Sequence, residues 1–213
     1  MSVKAVIETK CANDVFLIEK NARKFDKTVL IIGVFHGDEI QGEFLINKFL
    51  KSTTVIKKNR LLLIPCLNPD GKENKTRQNA NKIDLNRNFP TKNWEKINKN
   101  DYYGGNEPES EIETKFLVKL LNEEKIDCIL TIHSPYKVVN FDGPAKNIAQ
   151  KISEITEYPI QADIGYPTPG SFGTYCGIER KIPIITLELD ENLDNDDLWE
   201  QNKQIFEYFA NEF

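Results

Sequence analysis

Short apolar runs rich in β-branched residues recur along the chain and alternate with segments of helical periodicity. This alternation predicts an α/β fold in which a mixed, mostly parallel sheet is covered by helices on both faces. The N-terminal runs predict an antiparallel edge of that sheet. The predicted strands lie at residues 3–7, 15–18, 29–34, 61–64, 126–132, 138–141 and 182–189.

Four segments repeat apolar residues at the spacing of one helix face. Asp38 is a suitable N-cap for the first helix, which is expected to run to about Leu50. Pro108 and Glu109 are expected to open the second helix. Residues 145–155 and 198–209 predict the other two.

Two stretches lack this periodicity. Residues 68–107 are rich in Asn, Asp, Gly and Lys, and the stretch is longer than a loop that only connects two elements of a compact domain. Residues 165–177 combine prolines with several glycines. We therefore expect both stretches to be functional loops.

Length and composition narrow the class of protein. A chain of 213 residues predicts one domain, residues 1–213. A net charge of -5 gives no indication of a basic surface that would bind nucleic acid. No segment approaches the ~18 apolar residues of a membrane span, and the N-terminus is too charged for a signal peptide. The four cysteines form no Cys-x-x-Cys pair, and Cys66 and Cys128 are expected in core strands. We therefore expect a cytoplasmic protein with reduced cysteines.

The chain has two histidines, and both stand at the end of an apolar run. His36 follows the run 29–34 and has Glu39 three residues on, and His133 follows residues 126–132. Two imidazoles and one carboxylate, with a fourth position open to water, are typical ligands of catalytic zinc. Strand ends are also where open α/β sheets build their sites. We therefore predict one bound zinc ion, the alternative being two ordinary histidines, one of them capped by an acid.

Three further charged residues are candidates for the chemistry. Glu188 lies near the end of the last apolar run, where desolvation would raise its pKa toward that of a general base. The alternative is a strand-end carboxylate paired with a lysine. Arg77 and Arg87 lie in the loop 68–107, where a guanidinium could stabilise an oxyanion or clamp a carboxylate. The alternative for both is a surface arginine.

These motifs resemble those of the zinc carboxypeptidase family, from about residue 29 to residue 189. His-Gly-Asp-Glu at 36–39 and His133-Ser134 look like the metal ligands of that family. Asn-Pro-Asp-Gly at 68–71 and Asp-Leu-Asn-Arg-Asn-Phe at 84–89 are similar to two further signatures. The resemblance implies a single-domain zinc carboxypeptidase fold. It also implies roles for five residues: Glu188 as general base and acid, Arg77 as oxyanion stabiliser, Asn86 and Arg87 as carboxylate ligands, and Asp84 as partner of His36.

Residues 165–176 resemble the corresponding loop of the murein peptide amidases in this family. Those enzymes cut the amide between the γ-carboxyl of D-glutamate and the L-centre of meso-diaminopimelate. The implied partner is a small murein peptide such as L-Ala-γ-D-Glu-meso-diaminopimelate, with Tyr166 over the scissile bond. The alternative for this loop is a glycine-rich turn leading into a helix. Residues 140–144 either border the cleft near the distal groups of diaminopimelate or form a strand-to-helix turn.

Three other functions remain open. One is a conventional carboxypeptidase, and another is a deacylase of the succinylglutamate desuccinylase and aspartoacylase type. The complete set of Arg77, Asn86 and Arg87 weighs against the deacylase. A non-catalytic zinc-dependent peptide-binding module is the third, and a candidate base at Glu188 weighs against it.

Overall fold

The computed structural model describes residues 1–162 and 168–213, and its strands form one seven-stranded sheet. The strands are β1 (Ser2–Glu8), β2 (Asp14–Asn21), β3 (Thr28–Gly33), β4 (Arg60–Ile64), β5 (Cys128–His133), β6 (Val138–Asp142) and β7 (Ile184–Glu188). Their order across the sheet is β1-β2-β4-β3-β5-β7-β6. The four central strands are parallel, whereas the pairings at the two edges, β1 with β2, β2 with β4 and β6 with β7, are antiparallel. The predicted mixed sheet with an antiparallel N-terminal edge is confirmed.

The central strands are apolar along their whole length because both faces of the sheet are covered. Every residue of β3 and of β5 is buried. Val29 and Ile31 belong to the core on one face, and Leu30 and Ile32 to the core on the other. This two-sided burial explains why the sequence shows continuous apolar runs rather than alternation.

The helices lie on both faces, as predicted. They are α1 (Gln41–Lys51), α2 (Pro69–Asn74), α3 (Ile112–Glu123), α4 (Lys146–Thr156) and α5 (Asn195–Asn211). Helix α5 packs on α1 and α4, and the three share one core, while α3 packs in the core of the opposite face. Within the described residues, no helix combines the length and apolar character needed to span a bilayer.

Three local predictions are wrong. The N-cap of helix α1 is Ile40 instead of Asp38, so the helix begins at Gln41, and Ile40 makes no side-chain capping bond. Helix α3 begins at Ile112 instead of Pro108, because Glu109 has a φ of +54°, a left-handed conformation that a helix cannot contain. Cys128 is buried in β5 as expected, but Cys66 lies beyond the end of β4 and is only partly buried.

Candidate active site

The predicted site residues meet at the carboxyl ends of the central strands. His133 and Glu188 are the last residues of β5 and β7 and are register partners. Beyond β3 the chain turns at Val34, whose φ is +52°. This left-handed conformation is costly for a β-branched residue, on the order of 1–3 kcal/mol, and such strain concentrates at functional sites. A hydrogen bond of 3.0 Å from the Asn68 backbone N–H to the Val34 carbonyl holds the turn.

The turn after β3 packs directly on helix α2. A Cβ atom on Gly37 would lie 2.0 Å from the carbonyl carbon of Gly71, so no larger residue fits there. The buried Asn68 side chain donates to the carbonyls of Phe35 and Arg77, both at 3.3 Å. These two hydrogen bonds therefore connect the turn that contains His36 to the loop that contains Arg77.

Two imidazoles and one carboxylate converge at this edge. Nδ1 of His36 lies 2.8 Å from Oε1 of Glu39, and Nδ1 of His133 lies 2.7 Å from Oε2. One ligand atom from each of the three residues lies within 4.8 Å of the others. Nε2 of His36 faces Oδ1 of Asp84 at 3.2 Å, which leaves Nδ1 for a metal ion. The donor chemistry of these residues therefore fits a zinc ion.

The electrostatics of the group formed by His36, Glu39 and His133 favour the binding of a cation. Burial by itself lowers the pKa of His36, but the carboxylates of Glu39 and Asp84 outweigh it and raise the pKa to about 9. Although burial opposes it, both imidazoles hold the pKa of Glu39 well below its usual range. A site that retains a ring proton so strongly also attracts a metal ion that displaces that proton.

Asp84 links the metal cluster to the predicted oxyanion arginine. Its carboxylate is fully buried, with Oδ1 beside His36 and Oδ2 accepting a 2.9 Å hydrogen bond from Nε of Arg77. Oδ1 also accepts from the backbone N–H of Asn86 at 2.8 Å, at the start of a short 3₁₀ helix, Leu85–Arg87. One carboxylate thus orients a candidate ligand, a candidate catalytic group and the segment that would bind substrate.

Asn86 and Arg87 line the same cavity, which has a volume of about 260 Å³. The Asn86 Oδ1 accepts from the Phe172 backbone N–H at 2.9 Å, which leaves the side-chain amide N–H groups for another acceptor. The buried Arg87 donates from Nη1 to the Asn86 carbonyl at 2.7 Å. Neutral and cationic donors side by side can bind a carboxylate.

Tyr166 lies outside the described residues, so its role stays a prediction.

Glu188 lies on the wall of this cavity and is partly buried. Its Oε2 is buried with no hydrogen-bond partner in the described part of the chain. Burial raises the pKa of Glu188, while the imidazoles of His133 and His36 oppose the rise and Glu39 adds to it. A carboxylate oxygen kept without a partner at a strand end is suited to accept a proton. No ion pair of Glu188 with a lysine occurs among the residues described, contrary to the structural alternative.

Tyr102 is a residue of the site that sequence reasoning missed. It belongs to the loop 68–107 and lines the cavity, and its ring centroid lies 5.0 Å from Cζ of Arg77 and 5.7 Å from Cζ of Arg87. The only signal in the sequence is an aromatic residue within a polar loop. Because cation–π contacts hold both guanidiniums, Tyr102 positions the two arginines relative to each other.

Replacing Tyr102 by alanine is expected to lower kcat/KM about 10-fold, since each cation–π contact contributes about 0.5–1 kcal/mol. Tyr102→Phe keeps the ring and should stay within about 2-fold of the wild type. Steady-state kinetics on both variants tests this, and equal losses in the two would assign the effect to the hydroxyl instead.

The segment 140–144 both borders the cavity and leads from a strand into a helix, while its contact with the distal groups of diaminopimelate stays a prediction. Asn140 and Asp142 lie in β6 and border the cavity, while the chain beyond them turns into α4.

A larger groove of about 500 Å³ lies between β1 and α3. None of the predicted site residues borders that groove, so we assign the chemistry to the smaller cavity.

Comparisons with known proteins agree with this geometry. The sequence profile described as zinc carboxypeptidase matches residues 12–205. The chain is 34% identical over 184 residues to murein peptide amidase A of Vibrio campbellii, covering 81% of this chain and 71% of that protein. Against the protein of the same name from Escherichia coli K12 the identity is 31% over 172 residues, covering 75% and 69%.

Solved structures show the same fold. The murein-tripeptide amidase from Escherichia coli O157 superposes with a TM-score of 0.79 at 25% identity, covering 91% of this chain and 85% of that one. Carboxypeptidase A from Helicoverpa armigera gives a TM-score of 0.77 at 15% identity, covering 96% and 66%. The family profile spans nearly all of the chain, and its description agrees with the zinc-type ligand set at the strand ends. The chain is therefore a zinc peptide hydrolase and belongs to the zinc carboxypeptidase family.

Proposed function

We propose that this chain hydrolyses the amide bond between the γ-carboxyl of D-glutamate and the L-centre of meso-diaminopimelate in murein peptides. The proposal rests on one observation: the same cavity is lined by the predicted metal ligands and by Glu188, Arg77, Asn86 and Arg87. We call His36, Glu39 and His133 the ligand cluster. The murein peptide amidases among its relatives support this choice of bond.

Glu188 performs the proton transfers in this proposal. Zinc, when bound to the ligand cluster, supplies a Lewis acid that polarises the scissile carbonyl and lowers the pKa of water. The Oε2 of Glu188, which has no hydrogen-bond partner among the described residues, accepts the proton of the attacking water and then delivers it to the departing diaminopimelate amine. Arg77, held by Asp84, stabilises the negative charge that develops on the carbonyl oxygen.

Asn86 and Arg87 fix the register of the substrate. Their donors bind the free carboxylate at the L-centre of diaminopimelate, the residue directly after the scissile bond. Because one end of the leaving group is held, the amide lies close to Glu188 for much of the bound time, and the reaction becomes effectively intramolecular.

The proposal is tested by kcat/KM values of the zinc-loaded protein on three substrates. These are L-Ala-γ-D-Glu-meso-diaminopimelate, an ordinary peptide of L-residues with a free C-terminus, and N-succinylglutamate. We expect the first to be cleaved fastest. Faster cleavage of the second would indicate a conventional carboxypeptidase, and of the third a deacylase. Binding of the first without turnover would indicate a peptide-binding module.

Amidation of the L-centre carboxylate should lower kcat/KM for the murein tripeptide by at least ~100-fold, about 2.7 kcal/mol. The loss arises because the buried Arg87 guanidinium would face a neutral amide instead of a carboxylate. Two synthetic tripeptides that differ only at this group provide the comparison. Equal rates would mean that Asn86 and Arg87 do not bind this carboxylate.

A further inference from the structure

A tight turn in the loop 68–107, residues 91–94, packs against the segment that contains Arg87. The backbone N–H of Trp94 donates to the Thr91 carbonyl at 3.0 Å, which closes the turn. The half-buried indole of Trp94 then reaches back seven residues, and its Nε1–H donates to the Arg87 carbonyl at 3.1 Å. Among the residues described, Arg87 lines the cavity and Trp94 does not. Trp94 can therefore act on a ligand in the cavity only through other residues.

The Arg87 carbonyl is closely packed on glycine. A Cβ atom on Gly104 would lie 2.3 Å from this oxygen, and one on Gly170, whose φ is +71°, would lie 2.2 Å from it. The Cβ on Gly170 would also lie 2.7 Å from Cδ1 of Trp94. A real Cβ atom does not approach other atoms to less than 3.0 Å. The backbone of Arg87 is therefore packed against two glycines and the indole, and it has little room to move.

The same turn also holds the chain that is hydrogen-bonded to Asn86. The Gly170 N–H donates to Oγ1 of Thr91 at 3.1 Å. Two residues further on, the Phe172 N–H donates to Oδ1 of Asn86 at 2.9 Å. The turn therefore supports both residues of the predicted carboxylate site, Arg87 through the indole and Asn86 through the segment that begins at Gly170.

We propose that Trp94 is a positioning residue for the carboxylate of the substrate. Its indole N–H holds the Arg87 carbonyl, and the backbone held in this way determines where the guanidinium meets the carboxylate of the residue after the scissile bond. The proposal rests on the proposed function, because that function assigns this carboxylate to Asn86 and Arg87. A binding group must be held to within about 0.5 Å of its productive geometry, and its supporting residues provide that precision. Trp94 thus contributes to the selection of substrates that have this carboxylate free.

The test measures Trp94→Phe on two murein tripeptides, one with the L-centre carboxylate free and one with it amidated. Phenylalanine keeps an aromatic ring but has no N–H to donate. For the free tripeptide, KM should rise ~10-fold and kcat should stay within ~3-fold, since the carboxylate is bound in the ground state and in the transition state alike. Tenfold is about 1.4 kcal/mol, within the cost of leaving a carbonyl without its hydrogen bond. For the amidated tripeptide, kcat/KM should stay within ~2-fold.

Trp199→Phe is the matched control, because Trp199 is the other tryptophan of the chain and is also half-buried. It lies in α5, where its ring centroid is 6.0 Å from that of Phe206, and it is not among the described residues that line the cavity. The substitution removes the same atoms as Trp94→Phe. It should leave the kinetics of both tripeptides as they are in the wild type.

Gly104→Ala perturbs the same carbonyl while Trp94 stays in place. The added methyl group would lie 2.3 Å from the Arg87 carbonyl oxygen, so this oxygen must move. The variant should show the same selective loss on the free tripeptide, and it decides the question if Trp94→Phe does not fold. A loss on the free tripeptide alone supports control of carboxylate binding through this carbonyl, and its absence contradicts that control.

Failure of the inference can be distinguished from failure of the proposed function. If folded Trp94→Phe keeps the wild-type ratio of kcat/KM between the free and the amidated tripeptide, the role of Trp94 is overturned while the proposed bond cleavage stands. Equal losses on the two peptides would overturn it as well, since a general loosening of the loop does not distinguish them. If the wild type cleaves neither peptide, the proposed function fails. Calorimetry with free meso-diaminopimelate then decides: binding ~10-fold weaker in Trp94→Phe than in Trp199→Phe supports the role, and equal binding or none overturns it.

Discussion

Glu188→Gln should lower kcat on the murein tripeptide by at least ~1000-fold while the metal content and KM stay close to those of the wild type. The glutamine has the shape of the glutamate but cannot take a proton from water or return it to the amine. Nothing in the structure suggests that the variant would unfold, because the carboxylate has no ion pair to lose and its Oε2 is already unpartnered among the described residues. Stopped-flow and steady-state kinetics on zinc-replete samples measure the effect.

Glu191→Gln provides the control, since it removes an exposed acid three residues further along the chain. Its kcat should equal that of the wild type. A kcat within ~10-fold of the wild type in zinc-replete Glu188→Gln would remove Glu188 from the proton transfers. A loss of the bound metal in that variant would show instead that Glu188 is a ligand.

His133→Ala should remove most of the bound metal and with it nearly all of the activity. The variant leaves one imidazole and one carboxylate, too few donors to hold zinc at a site that must also leave a position open. Elemental analysis should fall from one zinc ion per chain to a small fraction of that. Added zinc should restore chelator-treated wild type but not the variant.

The buried imidazole of His133 also stacks on Phe35 at a ring distance of 5.7 Å, so thermal unfolding of the metal-free proteins must be compared. Similar midpoints for wild type and variant would assign the loss of zinc to the missing ligand. Stoichiometric metal in a folded His133→Ala sample would place the metal site elsewhere in the chain.

The sequence predicted the central strands and the site at their ends because both follow from local patterns. β3 and β5 are continuous apolar runs, as strands covered on both faces must be. Polar residues at the carboxyl ends of such strands meet at one edge of the sheet. The strand-end positions of His36, His133 and Glu188 therefore suffice to group the three residues from the sequence alone.

The elements next to the site were predicted less well, because tertiary contacts determine them. Helix α1 starts late because residues 34–40 are held in the turn that presents the ligands, with Val34 in a left-handed conformation. Helix α2 has six mostly polar residues and no apolar stripe, so periodicity does not reveal it. Its cap Asn68 and the close contact of Gly71 with Gly37 stabilise it instead.

Tyr102 could not be assigned a role from sequence for a different reason. It acts through Arg77 and Arg87, which are distant from it in the chain. Spacing along the chain contains no information on such contacts.

The central claim is tested most directly by mass spectrometry of L-Ala-γ-D-Glu-meso-diaminopimelate after incubation with the zinc-loaded protein. We expect two products, the dipeptide L-Ala-D-Glu and free meso-diaminopimelate. Neither should form after removal of the metal or with Glu188→Gln. Release of L-alanine, or an intact tripeptide alongside an active zinc-dependent cleavage of another substrate, would contradict the account.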